Sequence, residues 1–130
     1  MTEPTPSLWY LYGIVAADAP EPPDELPGLD GLPVRLLREG SLAAQVSEVP
    51  AALYDDEALD AHLADLAWMG ERGVAHERVL DWYLERGPIV PLSLFSLHRD
   101  EGRARARLRG EEERILPLLE GLRGRREWRV

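Results

Sequence analysis

The 130-residue sequence contains no cysteine, no lysine and no asparagine. Without cysteine the chain can form neither disulfides nor thiolate metal sites, and no reaction can use a cysteine nucleophile. This absence agrees with a reducing compartment, and we expect a cytoplasmic protein. All 15 basic residues are arginine, which we interpret as a sign of a GC-rich genome and of a thermophile.

Long apolar runs and an excess of positive charge are also missing. No apolar run reaches the roughly 20 residues that a membrane span needs, and Met1–Pro6 lacks the basic and apolar regions of a signal peptide. Residues 1–60 carry 12 acidic and 2 basic side chains, and residues 61–130 carry 12 acidic and 13 basic ones. Because an acidic front half repels phosphate, we expect no nucleic acid partner.

Catalytic and metal-binding motifs are missing as well. A helical HExxH zinc site needs a second histidine four residues after the first, but His76 is followed at that distance by Leu80. We therefore interpret His62 and His76 as structural histidines. The serines lie outside any GxSxG turn, and Gly28–Gly31 lacks the lysine and hydroxyl residue of a phosphate loop. We expect no catalytic residue, no cofactor and no bound metal.

The charged clusters have a structural interpretation. Asp55 and Asp56 stand where a helix N-cap is expected, and the acidic run 111–113 lies beside arginines on one charged helix. The arginine run from Arg99 to Arg109 is diluted by acidic residues. We interpret it as a solvated, ion-paired helix face in preference to a patch that binds RNA or anionic lipid.

The strands are recognisable from their side-chain patterns. Residues 7–15 are apolar in both alternating rows, which is typical of a central strand covered on both faces. The proline-rich, acidic stretch 16–33 predicts an irregular crossover with one short helical turn near 24–26. Segments 34–37 and 42–49 flank a glycine turn and predict a β-hairpin. A further strand is predicted over 89–97, with its proline marking an edge or a bulge.

The helices follow from apolar spacing and from glycine and proline positions. We predict one helix over 55–69 with a Leu59, Leu63 and Leu66 stripe, and a second over 74–85 after a break at the intervening glycines. A third helical region over 99–122 is expected to be kinked or split. A short terminal strand or a tail is predicted over 126–130.

We expect the second helix to pack three side chains against the sheet, Val79, Leu80 and Tyr83, with Trp82 at the rim. The order of elements predicts an α+β domain. It should contain an antiparallel or mixed sheet of about four to five strands, with about three helices mainly on one face.

Five short segments in this order resemble one known family. They are the Tyr-Gly strand of Trp9–Val15, Leu-Ala-Ala-x-Val-Ser at 42–47, His-Glu-x-Val-Leu at 76–80, Pro-Ile-Val-Pro-Leu at 88–92 and Glu-Trp-x-Val at 127–130. The set resembles the N-terminal domain of the gas vesicle accessory family GvpF/GvpL. The likeness implies a single domain over 1–130, without the ferredoxin-like second domain usual in that family.

The resemblance implies a non-enzymatic accessory or structural factor in gas vesicle assembly, associated with the vesicle. Its expected partners are the small, very hydrophobic shell protein or other accessory vesicle proteins. A homo-oligomer of the chain is a further alternative. From their place on apolar strands, we expect four partner-binding residues, Tyr10, Tyr12, Leu92 and Leu94. The alternative is a stand-alone α+β domain of other function that binds or transforms a small molecule.

Overall fold

A computed structural model of the chain describes residues 6–123 and confirms the predicted α+β class. The predicted strand over 126–130 lies outside the described residues. In chain order the elements are β1 (Ser7–Ala16), a 3-10 turn (Leu29–Gly31), β2 (Arg35–Glu39), β3 (Leu42–Pro50), α1 (Ala51–Tyr54), α2 (Asp56–His62), α3 (Leu66–Leu84), β4 (Val90–His98) and α4 (Glu101–Arg123). The four strands form one antiparallel sheet in the order β2-β3-β1-β4.

The central position predicted for the first strand is confirmed, because β1 lies between β3 and β4 with both of its side-chain rows buried. One row, with Tyr10 and Tyr12, packs beneath the crossover and α1–α3, and we call this side of the sheet the tyrosine face. The other row, with Trp9, Leu11 and Ile14, packs beneath α4 on what we call the leucine face. Three helices thus share one face, and the long α4 alone covers the other.

The hairpin prediction is also confirmed. Strands β2 and β3 pair directly across a two-residue turn, Gly40–Ser41. Gly40 has φ +61°, a left-handed conformation that glycine adopts without a steric penalty. The helical turn predicted at 24–26 lies further along, at Leu29–Gly31, while 24–25 form a simple turn.

The crossover between β1 and β2 is fixed to the tyrosine face by a chain of buried hydrogen bonds. The hydroxyl of Tyr12 accepts from the N–H of Leu29 at 3.0 Å and donates to Ser47 Oγ at 2.8 Å. The Ser47 hydroxyl in turn donates to the carbonyl of Pro33 at 2.8 Å. Each polar group therefore has a partner, which removes the penalty for burying it.

The prediction of a single helix over 55–69 is wrong, because Asp55 and Asp65 each cap a separate helix. The Asp55 carboxylate accepts from the N–H of Ala58 at 2.8 Å and caps α2. Asp65 accepts from the N–H of Trp68 at 3.1 Å and caps α3. Residues 63–65 form an elbow between them. The predicted leucine stripe is lost with the single helix.

The helix break predicted at Gly70 and Gly73 and the split predicted in the third helical region are wrong too. Helix α3 continues through Gly70 and Gly73, since the helix is held from its other side by buried residues such as Val79. Helix α4 is one element despite Gly110 and Pro117. Pro117 is exposed, so the helical carbonyl that it leaves without a backbone donor is on the water side.

The predicted packing of the second helix is confirmed. Val79, Leu80 and Tyr83 are buried against the tyrosine face. Trp82 is only partly buried and lies at the rim, where the guanidinium of Arg86 stacks 3.7 Å from its ring centroid. Among residues 6–123, no helix is both long and apolar enough to cross a bilayer.

Candidate partner-binding surface

The four predicted contact residues divide into two pairs in the structure. Tyr10 and Tyr12 are fully buried beneath α3 and the crossover, so in this conformation they present no side-chain surface to a partner. Leu92 and Leu94 are partly buried and line an open groove. The helices cover both rows of β1, as predicted from its two apolar rows. Of the four predicted contact residues, the two leucines alone have side-chain surface exposed in this conformation, and their role in binding stays a prediction.

The groove lies between α3 and the edge strand β4 and has a volume of about 480 Å³. We call it the α3–β4 groove, lined by Gly70, Gly73, Val74, His76, Glu77, Leu80, Pro91, Leu92 and Leu94. Val74 is 60% exposed, and no atom approaches within 4 Å of a side chain built at Gly70 or Gly73. Glu77 is the only carboxylate in a lining that is otherwise mostly aliphatic and glycine.

The strand wall of the groove departs from regular pairing. Leu11 pairs with Ser96 and Gly13 with Pro91, so that one residue of β1 lies opposite the four residues 92–95 of β4. Within this bulge Phe95 has φ +67°, a conformation that only glycine adopts readily. The proline prediction is confirmed in both respects, because Pro91 lies on an edge strand and directly before a bulge.

Two buried side chains hold the bulge in place. The carbonyl of Leu92 must accept from Nε2–H of His76, at 3.0 Å. In the neutral ring Nδ1 is then an acceptor, and the Tyr10 hydroxyl donates to it at 2.6 Å. The same hydroxyl lies 3.4 Å from the N–H of Phe95. His76 has the structural role predicted for it, and it connects the core to the strand wall of the groove.

Burial keeps both partners of this pair neutral. Desolvation lowers the pKa of His76, against smaller opposing effects of the Leu92 carbonyl and the Glu77 charge. Desolvation also raises the pKa of Tyr10, against the hydrogen bond from Phe95. At neutral pH the Tyr10 hydroxyl therefore keeps its proton and the imidazole is uncharged. The pair supports the backbone and offers no acid or base to the solvent.

A partly buried cluster also joins the crossover to the helices, and it was not predicted from the sequence. The carboxylate of Asp30 accepts from the Tyr54 hydroxyl at 2.6 Å and pairs with the guanidinium of Arg72, whose side chain is 12% exposed. The guanidinium also lies 4.3 Å from the ring centroid of Trp68. The cluster is charge-balanced and internally bonded, so its role is structural. Asp30, Tyr54 and Arg72 are far apart in the chain, so no local sequence pattern indicates that they meet.

The charged clusters behave as the sequence predicts. Arg105 and Arg109 both pair with Glu39 of β2, and Arg107 pairs with Glu111 along α4. The arginine run is therefore largely neutralised within the chain. Within residues 6–123, no three histidine or carboxylate side chains cluster so as to hold a metal ion.

A further cavity of about 390 Å³ lies between the start of the crossover and the end of α3. Its principal polar side chains already have partners. The Tyr83 hydroxyl donates to the carbonyl of Pro20 at 2.7 Å, and Arg86 donates to the carbonyl of Trp82 at 2.6 Å. The cavity therefore lacks the free, convergent polar groups of a small-molecule site.

Comparisons with known proteins point to a single family. The family model described as "Gas vesicle synthesis protein GvpL/GvpF" matches residues 8–130. Gas vesicle protein L of Streptomyces sp. (strain CB03234) is 35% identical over 126 residues, which cover 97% of this chain and 47% of that protein. Gas vesicle protein F of the same strain is 31% identical over 123 residues, covering 93% of this chain and 46% of that protein.

The chain thus spans about half the length of both relatives. No solved structure gives a significant match.

Proposed function

The chain belongs to the GvpL/GvpF family of gas vesicle synthesis proteins, and from this membership we propose that it is a non-enzymatic accessory or structural factor in gas vesicle assembly. It acts by binding protein and transforms no metabolite. Its partner is the hydrophobic shell protein or another vesicle protein, which places it in the cytoplasm with the growing vesicle. The observation that carries the proposal is the open, apolar α3–β4 groove.

The groove suits an apolar protein segment. Val74 is largely exposed, and Leu92 and Leu94 are only partly covered. Covering such surface contributes about 25 cal/mol per Å² of apolar area removed from water. A very hydrophobic shell protein supplies complementary apolar side chains, and the glycines of α3 let its backbone approach closely.

The geometry supports insertion into the groove in preference to strand addition. An added strand needs a regular row of free N–H and C=O groups on the edge of β4. Pro91 has no N–H, and the bulge at 92–95 with its left-handed Phe95 interrupts the row. The contact should therefore depend on side-chain burial more than on main-chain hydrogen bonds.

A pull-down of purified shell protein, at low ionic strength and at about 0.5 M salt, tests this function. Binding should persist at the higher salt, because screening removes long-range charge attraction and leaves apolar burial intact. Val74→Asp should weaken binding by about tenfold or more, since it places a charge in the contact.

Leu118→Asp is the matched control, because Leu118 is 49% exposed on α4, away from the groove. It should bind like the unmodified chain. Absence of binding at both salt concentrations, or equal binding by the Val74 and Leu118 variants, would contradict the proposal.

A further inference from the structure

One face of α3 is unusually open along more than two turns. Leu66, Gly70, Gly73 and Val74 follow helical spacing and so share a face. Leu66 is 84% exposed, the highest value for a large aliphatic side chain among the described residues. No described atom contacts a side chain built at either glycine. We call these four residues the α3 stripe, which runs from the elbow into the α3–β4 groove.

The shape of the α3 stripe matches another helix. Helices pack by placing ridges spaced three and four residues apart into grooves, and their axes come closer when small residues lie at the contact. Two leucine or valine side chains with two glycines between them form such a ridge and groove. Because the neighbouring edge of β4 is interrupted by its bulge, a strand is the less suitable occupant.

The α2 side of the elbow is acidic, and the nearby Arg72 of α3 already pairs with Asp30 and Glu71. Residues 51–65 contain five carboxylates and no arginine. Asp56, Asp60 and the half-exposed Leu63 follow helical spacing on α2 and its last turn. Among residues 6–122, whose side chains the structure describes, no arginine pairs with Asp56, Glu57 or Asp60. We call these three residues and Leu63 the acidic shoulder.

We propose that the α3 stripe and the acidic shoulder together dock an amphipathic helix of a vesicle protein, with its apolar face along α3 and a basic end at the shoulder. The inference rests on the proposed function and names the chemistry of its partner. Apolar contact along the stripe supplies affinity. Opposite charges at the shoulder orient the helix and speed its association.

A second copy of this chain is a poor source of that helix. Its basic helix, α4, already pairs arginines with Glu39 and with Glu111 of its own chain. Breaking these pairs would offset much of the gain from new ones. Among the described residues the arginines of α4 are thus largely paired already, so we expect the complementary basic end to come from a different protein.

Two synthetic helical peptides test the inference directly. They share one leucine- and alanine-rich face and differ only at one end, which carries three arginines or three glutamates. Titration into the full chain at low ionic strength should give about tenfold or more tighter binding of the arginine peptide. At about 0.5 M salt the two affinities should converge, and the residual binding of both should persist.

Matched variants assign the difference to the shoulder. Glu57→Gln with Asp60→Asn should abolish the preference for the arginine peptide. Asp24→Asn with Glu25→Gln makes the same change in net charge on the exposed crossover and should leave the preference intact.

If both variant pairs lost the preference for the arginine peptide to the same extent, the preference would depend on net charge alone and the proposal would be wrong. Equal binding of the two peptides to the unmodified chain would overturn it as well, while salt-resistant binding of the shell protein would leave the proposed function standing. A chain that self-associates, and becomes monomeric when the shoulder is neutralised, would replace the basic partner helix with a second copy.

Discussion

The two faces of the sheet are built in different ways. The leucine face is a closed aliphatic layer in which Leu108, Ile115 and Leu119 of α4 are fully or almost fully buried. The tyrosine face is covered by several shorter segments, held together by buried hydroxyl and imidazole groups and by the partly exposed carboxylate of Asp30. The outer surface of α4 carries intramolecular ion pairs, whereas the outer surface of α3 carries bare glycines and exposed aliphatic residues.

From this contrast we infer that the leucine face has a structural role, whereas the tyrosine face has both a structural and a binding role. The single helix α4 is held mainly by apolar packing, and Arg105 and Arg109 add ion pairs to Glu39 of β2. The several short segments that cover the tyrosine face need hydrogen bonds to fix their positions on the sheet, and grooves remain where these segments meet. We therefore expect changes beneath α4 to alter stability only, and changes around α3 to alter stability and binding separately.

The largest expected effect comes from truncating a core leucine on either face. Leu80→Ala on the tyrosine face and Leu108→Ala on the leucine face should each lower the free energy of unfolding by about 2–5 kcal/mol, because both leave a cavity. Chemical denaturation measures the loss. Only Leu80 lines the α3–β4 groove, so its variant alone should also bind the shell protein more weakly. An unchanged melting temperature for Leu80→Ala would contradict the packing described.

A smaller loss is expected from Tyr12→Phe. The change leaves the N–H of Leu29 and the Ser47 hydroxyl with one fewer buried partner, which should cost about 1–3 kcal/mol. Tyr83→Phe is the control, since its hydroxyl bonds only the carbonyl of the exposed Pro20, which water can solvate instead. Equal losses in denaturation experiments would show that the crossover is not fixed by the Tyr12 chain.

Lowering the pH should destabilise the chain through one histidine on each face of the sheet. Burial lowers the pKa of His76 on the tyrosine face, and burial with the charge of Arg107 lowers that of His98 beside the leucine face. The unfolded chain therefore binds more protons below pH 6.5, the ordinary histidine pKa, and stability should fall as the pH drops through that value.

The matched variants are His76→Gln and His98→Gln, and each should flatten part of the decline in a pH series of denaturation curves. Only the His76 variant should also change the pH dependence of shell-protein binding, because only His76 contacts the bulge. A pH dependence of binding that is unaltered by His76→Gln would contradict its role in the strand wall.

The smallest expected effect is a gain in stability. Gly73→Ala should stabilise the chain by about 0.5–1 kcal/mol, since the glycine lies inside a helix with open space around it. Gly110→Ala in α4 should do the same. Only the change at Gly73 should weaken docking of an arginine-ended helical peptide, because the added methyl group lies in the α3 stripe. Equal docking by both variants would argue against close helix approach there.

The central place of β1, the hairpin and the packing of the second helix were predictable because each depends on a local pattern. Three such local patterns are the two apolar rows of β1, the turn at Gly40 and the proline of β4. Each pattern favours one structure, and the protein adopts that structure. The family likeness was readable for the same reason, since it rests on short sequence runs.

The errors arose where distant contacts override local preference. Gly70 and Gly73 break a helix only if nothing else holds it, and here the buried side of α3 does. Asp65 was interpreted as part of a longer helix because a second N-cap cannot be distinguished from an ordinary acidic residue before its neighbours are placed. The exposure of Leu66 and the burial of Tyr10 likewise depend on which elements pack together, which spacing along the chain does not specify.

The central place of β1 also has a consequence for synthesis on the ribosome. This strand emerges first, yet Tyr10 pairs with Ser47 on one side and with Leu97 on the other, and α4 emerges after both. Until Leu119 has left the exit tunnel, the aliphatic side of the sheet has no cover. We therefore expect a chain cut short before α4 to expose this apolar layer and to aggregate in place of forming a smaller stable domain.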